Sequence, residues 1–144
     1  MSVITEIEQK LKSCNQARFE KIVGVLLKAK GANGLTLLGT VPGKDKTKTG
    51  VPDIYATTDG QSFDFFACTT ITGASAVRAK LINDIDECVN PEKTGIPNAA
   101  IHKIHLAFNS NLDPPVLLEI SQYAASRQLS IEFLPLSDIA LDIH

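Results

Sequence analysis

Long apolar runs are missing from this chain. No stretch approaches the ~18 consecutive apolar residues that a membrane-spanning helix needs, so no membrane association is expected. The N-terminus is amphipathic and charged, which is not the pattern of a secretory leader. Cysteine is scarce. Cys14, Cys68 and Cys88 are odd in number and far apart, with no Cys-x-x-Cys or Cys/His spacing for zinc and no disulfide framework. They read as reduced, mostly buried thiols of a cytoplasmic protein. An excess of positive charge is also lacking: 14 Lys and Arg stand against 16 Asp and Glu, a formal net charge of −2. Proteins that coat nucleic acid are usually basic, so any such contact is expected to be local or supplied by another domain.

Several chemical signatures fail as well. Gly39-x-x-x-Gly43-Lys44 has the wrong spacing for a phosphate-binding loop, lacks Ser or Thr after the lysine, and leads into a strand. His102 and His105 are three apart on an expected strand, so alternation puts them on opposite faces and makes them a poor metal pair. No nucleophile elbow is visible. Internal repeats and low-complexity tracts are absent.

What remains is an ordinary globular balance, 44% hydrophobic and 21% charged over 144 residues. That is one domain, long enough to bury a core without staples. Val3, Ile4, Ile7 and Leu11 recur at helical spacing, as do Phe19, Ile22, Val23, Leu26 and Leu27. One long helix or two in tandem are expected from Ser2 to Lys30, ended by Gly31-Ala32-Asn33-Gly34. Leu35 to Val41 reads as a strand and Pro42 to Gly50 as a polar loop. Val51 to Thr57 and Ser62 to Thr69 read as a hairpin across Asp59-Gly60. A helix from Ala74 to Asn90, a loop from Pro91 to Pro97, a strand from Ile101 to Phe108, a helix from Pro114 to Arg127 and a strand from Leu129 to Leu134 follow. The order α-β-β-β-α-β-α-β, a hairpin-rich half and then β-α-β crossovers, predicts an α/β fold with a mixed sheet and helices on both faces. The last residues, Leu136 to His144, read as a helix that makes barely two turns; the expectation is a fragment from the front of a longer protein.

The most informative stretch is Gly50-Val51-Pro52-Asp53-Ile54-Tyr55, followed after Thr58-Asp59-Gly60 by Ser62-Phe63-Asp64-Phe65-Phe66-Ala67-Cys68-Thr69-Thr70. It resembles the metal-binding hairpin of the PD-(D/E)xK nucleases, the restriction-endonuclease-like superfamily. The resemblance covers roughly Phe19 to Phe108 and implies the αβββαβ core of that fold. Pro52-Asp53 matches the first half of the motif. The second half is altered: the expected carboxylate falls on Ala67 and the expected lysine on Thr69.

The resemblance implies a Mg²⁺- or Mn²⁺-dependent endonuclease acting on DNA. It implies metal ligation by Asp53 and by a carboxylate at position 67, with Glu20 assisting, because Phe19-Glu20 is similar to the Phe-Glu at the first helix of many members. Some branches read Glu-Cys-Thr-Thr here and draw the lysine from the next helix, which points to Lys80; the alternative for Lys80 is a surface ion pair with Asp84 at i,i+4. Asp64 has the wrong strand parity to replace the missing carboxylate. Lys44, Lys46 and Lys48 are candidates for holding a phosphate backbone, against a plain solvated loop. The chain's last residues are similar to the linker in bacterial multidomain defence proteins. That implies an N-terminal effector followed by further domains such as an NTPase module, active as a homo-oligomer.

Ala67 carries no charge and no side-chain oxygen. The otherwise intact Phe65-Phe66-x-Cys68-Thr69-Thr70 favours an alanine introduced in place of a native glutamate to disarm the enzyme. The competing reading is a naturally degenerate nuclease fold that binds nucleic acid or protein. A plain α/β interaction domain with a coincidental Pro-Asp would leave Asp53 and Ala67 far apart.

Overall fold

The structure, a computed structural model, describes residues 2–29, 35–37, 52–57 and 59–143, with the backbone alone at 35–37. The expected helix end at 31–34, the strand beyond 37 and the loop bearing Lys44, Lys46 and Lys48 lie outside the described residues.

The N-terminal region forms two helices. Helix α1 spans Val3–Lys12 and helix α2 spans Gln16–Ala29. Polar residues cap both. The Ser2 hydroxyl accepts the Thr5 N–H at 3.1 Å, and the Asn15 side chain accepts the Arg18 N–H at 2.8 Å. The intervening cap at Asn15 is what divides the continuous-looking apolar pattern into two helices.

Strands β1 (Leu35–Leu37), β2 (Ile54–Ala56) and β3 (Phe63–Thr69) follow. The β2–β3 turn is held by Asp59, whose carboxylate accepts the N–H groups of Gln61 and Ser62 at 2.8 and 3.0 Å. Helix α3 (Ala74–Cys88) leads to a single turn of helix, α4 (Pro91–Thr94). The expected loop over Pro91 to Pro97 is thus partly helical: Asn90 caps the turn through the Glu92 N–H, and Gly95 closes it at φ +74°. A 3₁₀ turn (Asn98–Ala100), β4 (Ile101–Phe108), α5 (Pro114–Ser126), β5 (Ile131–Leu134) and α6 (Leu136–Ile143) complete the described chain.

The five strands lie in sequence order, β1-β2-β3-β4-β5. The first three pair antiparallel, while β3–β4 and β4–β5 pair parallel. The result is a mixed sheet flanked by helices, and alternation along β3 divides the core. Phe65 and Ala67 face α3 and α5, packing with Val77, Leu81, Ile85, Ile120 and Ala124. Phe66 and Cys68 face the other way, with Leu11, Phe19, Val23 and, from α6, Leu136 and Ile139. Helices on both faces let β3 and β4 be apolar on both sides.

One register irregularity corrects an expectation. Phe63 pairs with Ile101, but Asp64 pairs with Lys103, so His102 is an extra residue in β4. The bulge cancels the alternation between His102 and His105. Both rings reach the Asp64 carboxylate, His102 Nδ1 at 2.8 Å and His105 Nε2 at 3.3 Å. His105 also stacks on Phe66, ring centroids 4.2 Å apart.

Candidate active site at the end of strand β3

The end of β3 is assembled by side chains standing in for a ladder that Pro52 interrupts. Ile54 pairs with Phe66. Continuing that register places Asp53 opposite Ala67 and Pro52 opposite Cys68. Proline has no N–H to give, and the two backbone groups of Cys68 find other partners. The Cys68 N–H donates to Asp53 Oδ2 at 2.8 Å. The Cys68 carbonyl accepts from Gln16 Nε2 at 2.7 Å. Gln16 opens α2, and its amide oxygen also accepts the N–H and the hydroxyl of Thr70 at 3.1 and 3.2 Å.

Asp53 is therefore held against the backbone at position 68, close to Ala67. Burial pushes its carboxyl above the usual aspartate range, partly offset by the Cys68 N–H and by the Lys80 charge.

Glu20 reaches this end of the sheet from α2, in the opposite layer from α3. It lies one turn after Gln16, which donates to its Oε2 at 2.8 Å. It is not a solvent-facing helix residue: only 1% of it is exposed, and its Oε1 is buried without a hydrogen-bond partner. Burial first, and then the nearby Asp53 charge, raise its pKa from 4.5 to about 7.

Lys80 arrives from α3 and pairs with Asp84, as the surface alternative anticipates. The pair is not a surface pair, however. Asp84 is 5% exposed, its Oδ2 is buried without a partner, and burial raises its pKa to about 6. Lys80 also bears on the site, because its charge lowers both Glu20 and Asp53. Burial lowers Lys80 itself, but the bond and attraction to Asp84, with Asp53 and Glu87, outweigh this and leave it raised.

Ala67 is buried in the apolar layer beneath α3. Thr69 is also buried, and its hydroxyl accepts the Ile71 N–H at 3.2 Å in a local turn. Asp64 sits with the histidines on the opposite face from Ala67, as its parity requires. The structure thus brings Asp53, Ala67, Glu20 and Lys80 to one end of the sheet, with Thr69 beside them but turned to its own loop.

A hard divalent cation takes carboxylate oxygens, and the buried, crowded Glu20 and Asp53 are donors of that kind. Their number is short. Among the described residues no three His, Cys, Asp or Glu side chains form a group able to hold a metal ion. Alanine at position 67 supplies no oxygen ligand, and its side chain packs in the apolar layer beneath α3.

Sequence reasoning missed two residues of this site. Gln16 precedes Glu20 by one helical turn, a spacing that carries a weak signal, but its tie to β3 spans 52 residues of chain. Asp84 is read from sequence only as a solvent-side partner; its place in the stripe Val77, Leu81, Asp84, Ile85, Cys88 was the available signal. No protein-family model matches the chain, and no curated protein matches it.

Proposed function

We propose that this domain is a PD-(D/E)xK-type nuclease domain acting on DNA with Mg²⁺ or Mn²⁺, and that the chain with alanine at 67 does not cut. The observation that carries this reading is the Asp53 carboxylate docked on the backbone at position 68, opposite Ala67 and within electrostatic reach of buried Glu20 and of Lys80. The antiparallel-antiparallel-parallel order of β1 to β4 supports the same αβββαβ core.

With a carboxylate restored at 67, that residue and Asp53 would hold the cation, with Glu20 assisting from α2. When bound, the cation supplies Lewis acidity toward a phosphoryl oxygen and lowers the pKa of a bound water. The protein's own groups do the rest. Gln16 and the Cys68 N–H fix Glu20 and Asp53 in place. Lys80 orients the attacking water and offsets the charge that builds on the phosphate. In the biological setting we favour, this is the effector of a bacterial defence protein whose downstream modules, an NTPase among them, bring copies together.

A second reading, a non-cutting module that binds nucleic acid or protein, is favoured by one observation: Ala67 is 4% exposed and fully accommodated among Val77, Leu81 and Leu106. The deciding experiment incubates the chain as it stands and its Ala67→Glu variant with plasmid and single-stranded DNA, in Mg²⁺ and in EDTA. Metal-dependent nicking by the variant alone is expected. Binding of DNA by both proteins with cleavage by neither would favour the binding module.

A further inference from the structure

Helix α3 buries one stripe, Val77, Leu81, Asp84, Ile85 and Cys88. Four of these are apolar or thiol side chains, as a core-facing helix stripe requires. Asp84 breaks the pattern with a carboxylate that is 95% covered, one oxygen of which has no partner. Burying such a group is costly unless it is fully paired. The helix also has cheaper ways to hold itself in place. Its outer side is tied to α5 by Arg78–Glu119 and by Asp86 with Arg127 and Tyr123, all partly exposed. A carboxylate that the core does not need, placed where it binds a single lysine, is better explained by what it does to that lysine.

Resting on the nuclease reading above, we propose that Asp84 is a positioning residue that fixes the Lys80 ammonium against the buried face of α3. Lys80 has a long, rotatable side chain, one-third exposed. Left alone, it would spread over many rotamers and turn to water. Asp84, one turn along the same helix, selects one of them. The acidic neighbours Asp53 and Glu87 reinforce the positive charge. Lys80 then acts as a fixed donor and counter-charge, not as the base that takes the proton from water.

The test uses the full chain carrying Ala67→Glu, or Ala67→Asp should the glutamate variant fail to fold by circular dichroism, with supercoiled plasmid and Mg²⁺. Asp84→Asn is expected to lower kcat about 10-fold with KM unchanged, a loss within the range for displacing a positioned group. It should do so without lowering the urea midpoint. Lys80→Gln should lower kcat at least as much, and the double variant should be no worse than Lys80→Gln alone. Equal kcat with and without Asp84→Asn, or additive losses, would overturn the positioning role while leaving the nuclease reading intact. No cleavage by any carboxylate-restored protein, including one fused to a dimerising domain that brings copies together, sinks both. In the chain as it stands, an NMR signal from the Lys80 ammonium nitrogen is expected in slow exchange and lost in Asp84→Asn. A signal that persists there overturns the proposal whatever the cleavage result.

Discussion

The Asp53 carboxylate accepts the Cys68 N–H at 2.8 Å and so occupies the place of a strand-ladder bond beside Pro52. One side chain thus has a structural duty and, in the proposed function, a chemical one. A carboxylate bonded to a backbone donor loses rotamer freedom before any cation or substrate arrives, and the strand that carries the bond also carries position 67.

The two duties separate by substitution. Asp53→Asn keeps a side-chain oxygen that can accept the Cys68 N–H but removes the charge. Its urea midpoint should stay close to that of the parent, while Mg²⁺-dependent nicking in the Ala67→Glu background should disappear. Asp53→Ala leaves the Cys68 N–H without its partner and should cost about 1–2 kcal/mol more. Equal stability of the two variants would show that the bond contributes nothing to the fold.

Glu20 predicts a pH dependence. Its folded pKa of about 7 lies above the ordinary 4.5, so the folded protein binds more protons than the unfolded one between those values. That contribution to stability is complete below about pH 4.5 and is lost as pH rises through about 7. The loss amounts to about 3 kcal/mol at the usual conversion from pKa shift to free energy. Asp84 acts in the same direction. His105, held low by burial, acts in the opposite one. The informative quantity is therefore the difference between parent and Glu20→Gln in urea unfolding from pH 5 to 8. The parent's advantage at pH 5 should vanish or reverse by pH 8; a constant difference would contradict the buried, raised Glu20.

Gln16 ties α2 to β3 through bonds to Glu20, Cys68 and Thr70. Gln16→Ala leaves the buried Cys68 carbonyl and the half-buried Thr70 N–H without their side-chain partner. A loss of about 1–3 kcal/mol is expected, together with faster hydrogen exchange at the Thr70 amide. Unchanged exchange there would show that the α2–β3 tie opens freely.

Much of the fold was legible in the chain because its cues are local. Helical spacing in α1, α2 and α3, alternation along β3 and the Asp59-Gly60 turn depend on residues a few positions apart. The mixed, two-sided sheet follows from element order and from strands apolar on both faces. The cap at Asn15 and the one-turn helix at Pro91 were obscured because short polar signals compete with a stronger apolar period. The His102–His105 relation was misread because alternation assumes an unbroken register, and the bulge that breaks it is set by pairing with β3.

For the site, the sequence by itself determined which residue types are present and which are missing: the Pro52-Asp53 pair, a nearby glutamate and lysine, and alanine at 67. Tertiary structure alone decided that Glu20 is buried against this strand end, that Gln16 takes the carbonyl Pro52 cannot serve, and that Asp84 lies inside the core holding Lys80. The reason is physical. Periodicity is written over a few residues, but burial and the pKa shifts it causes depend on which distant layers close over a side chain, and α2 and α3 approach the end of β3 from opposite faces of the sheet.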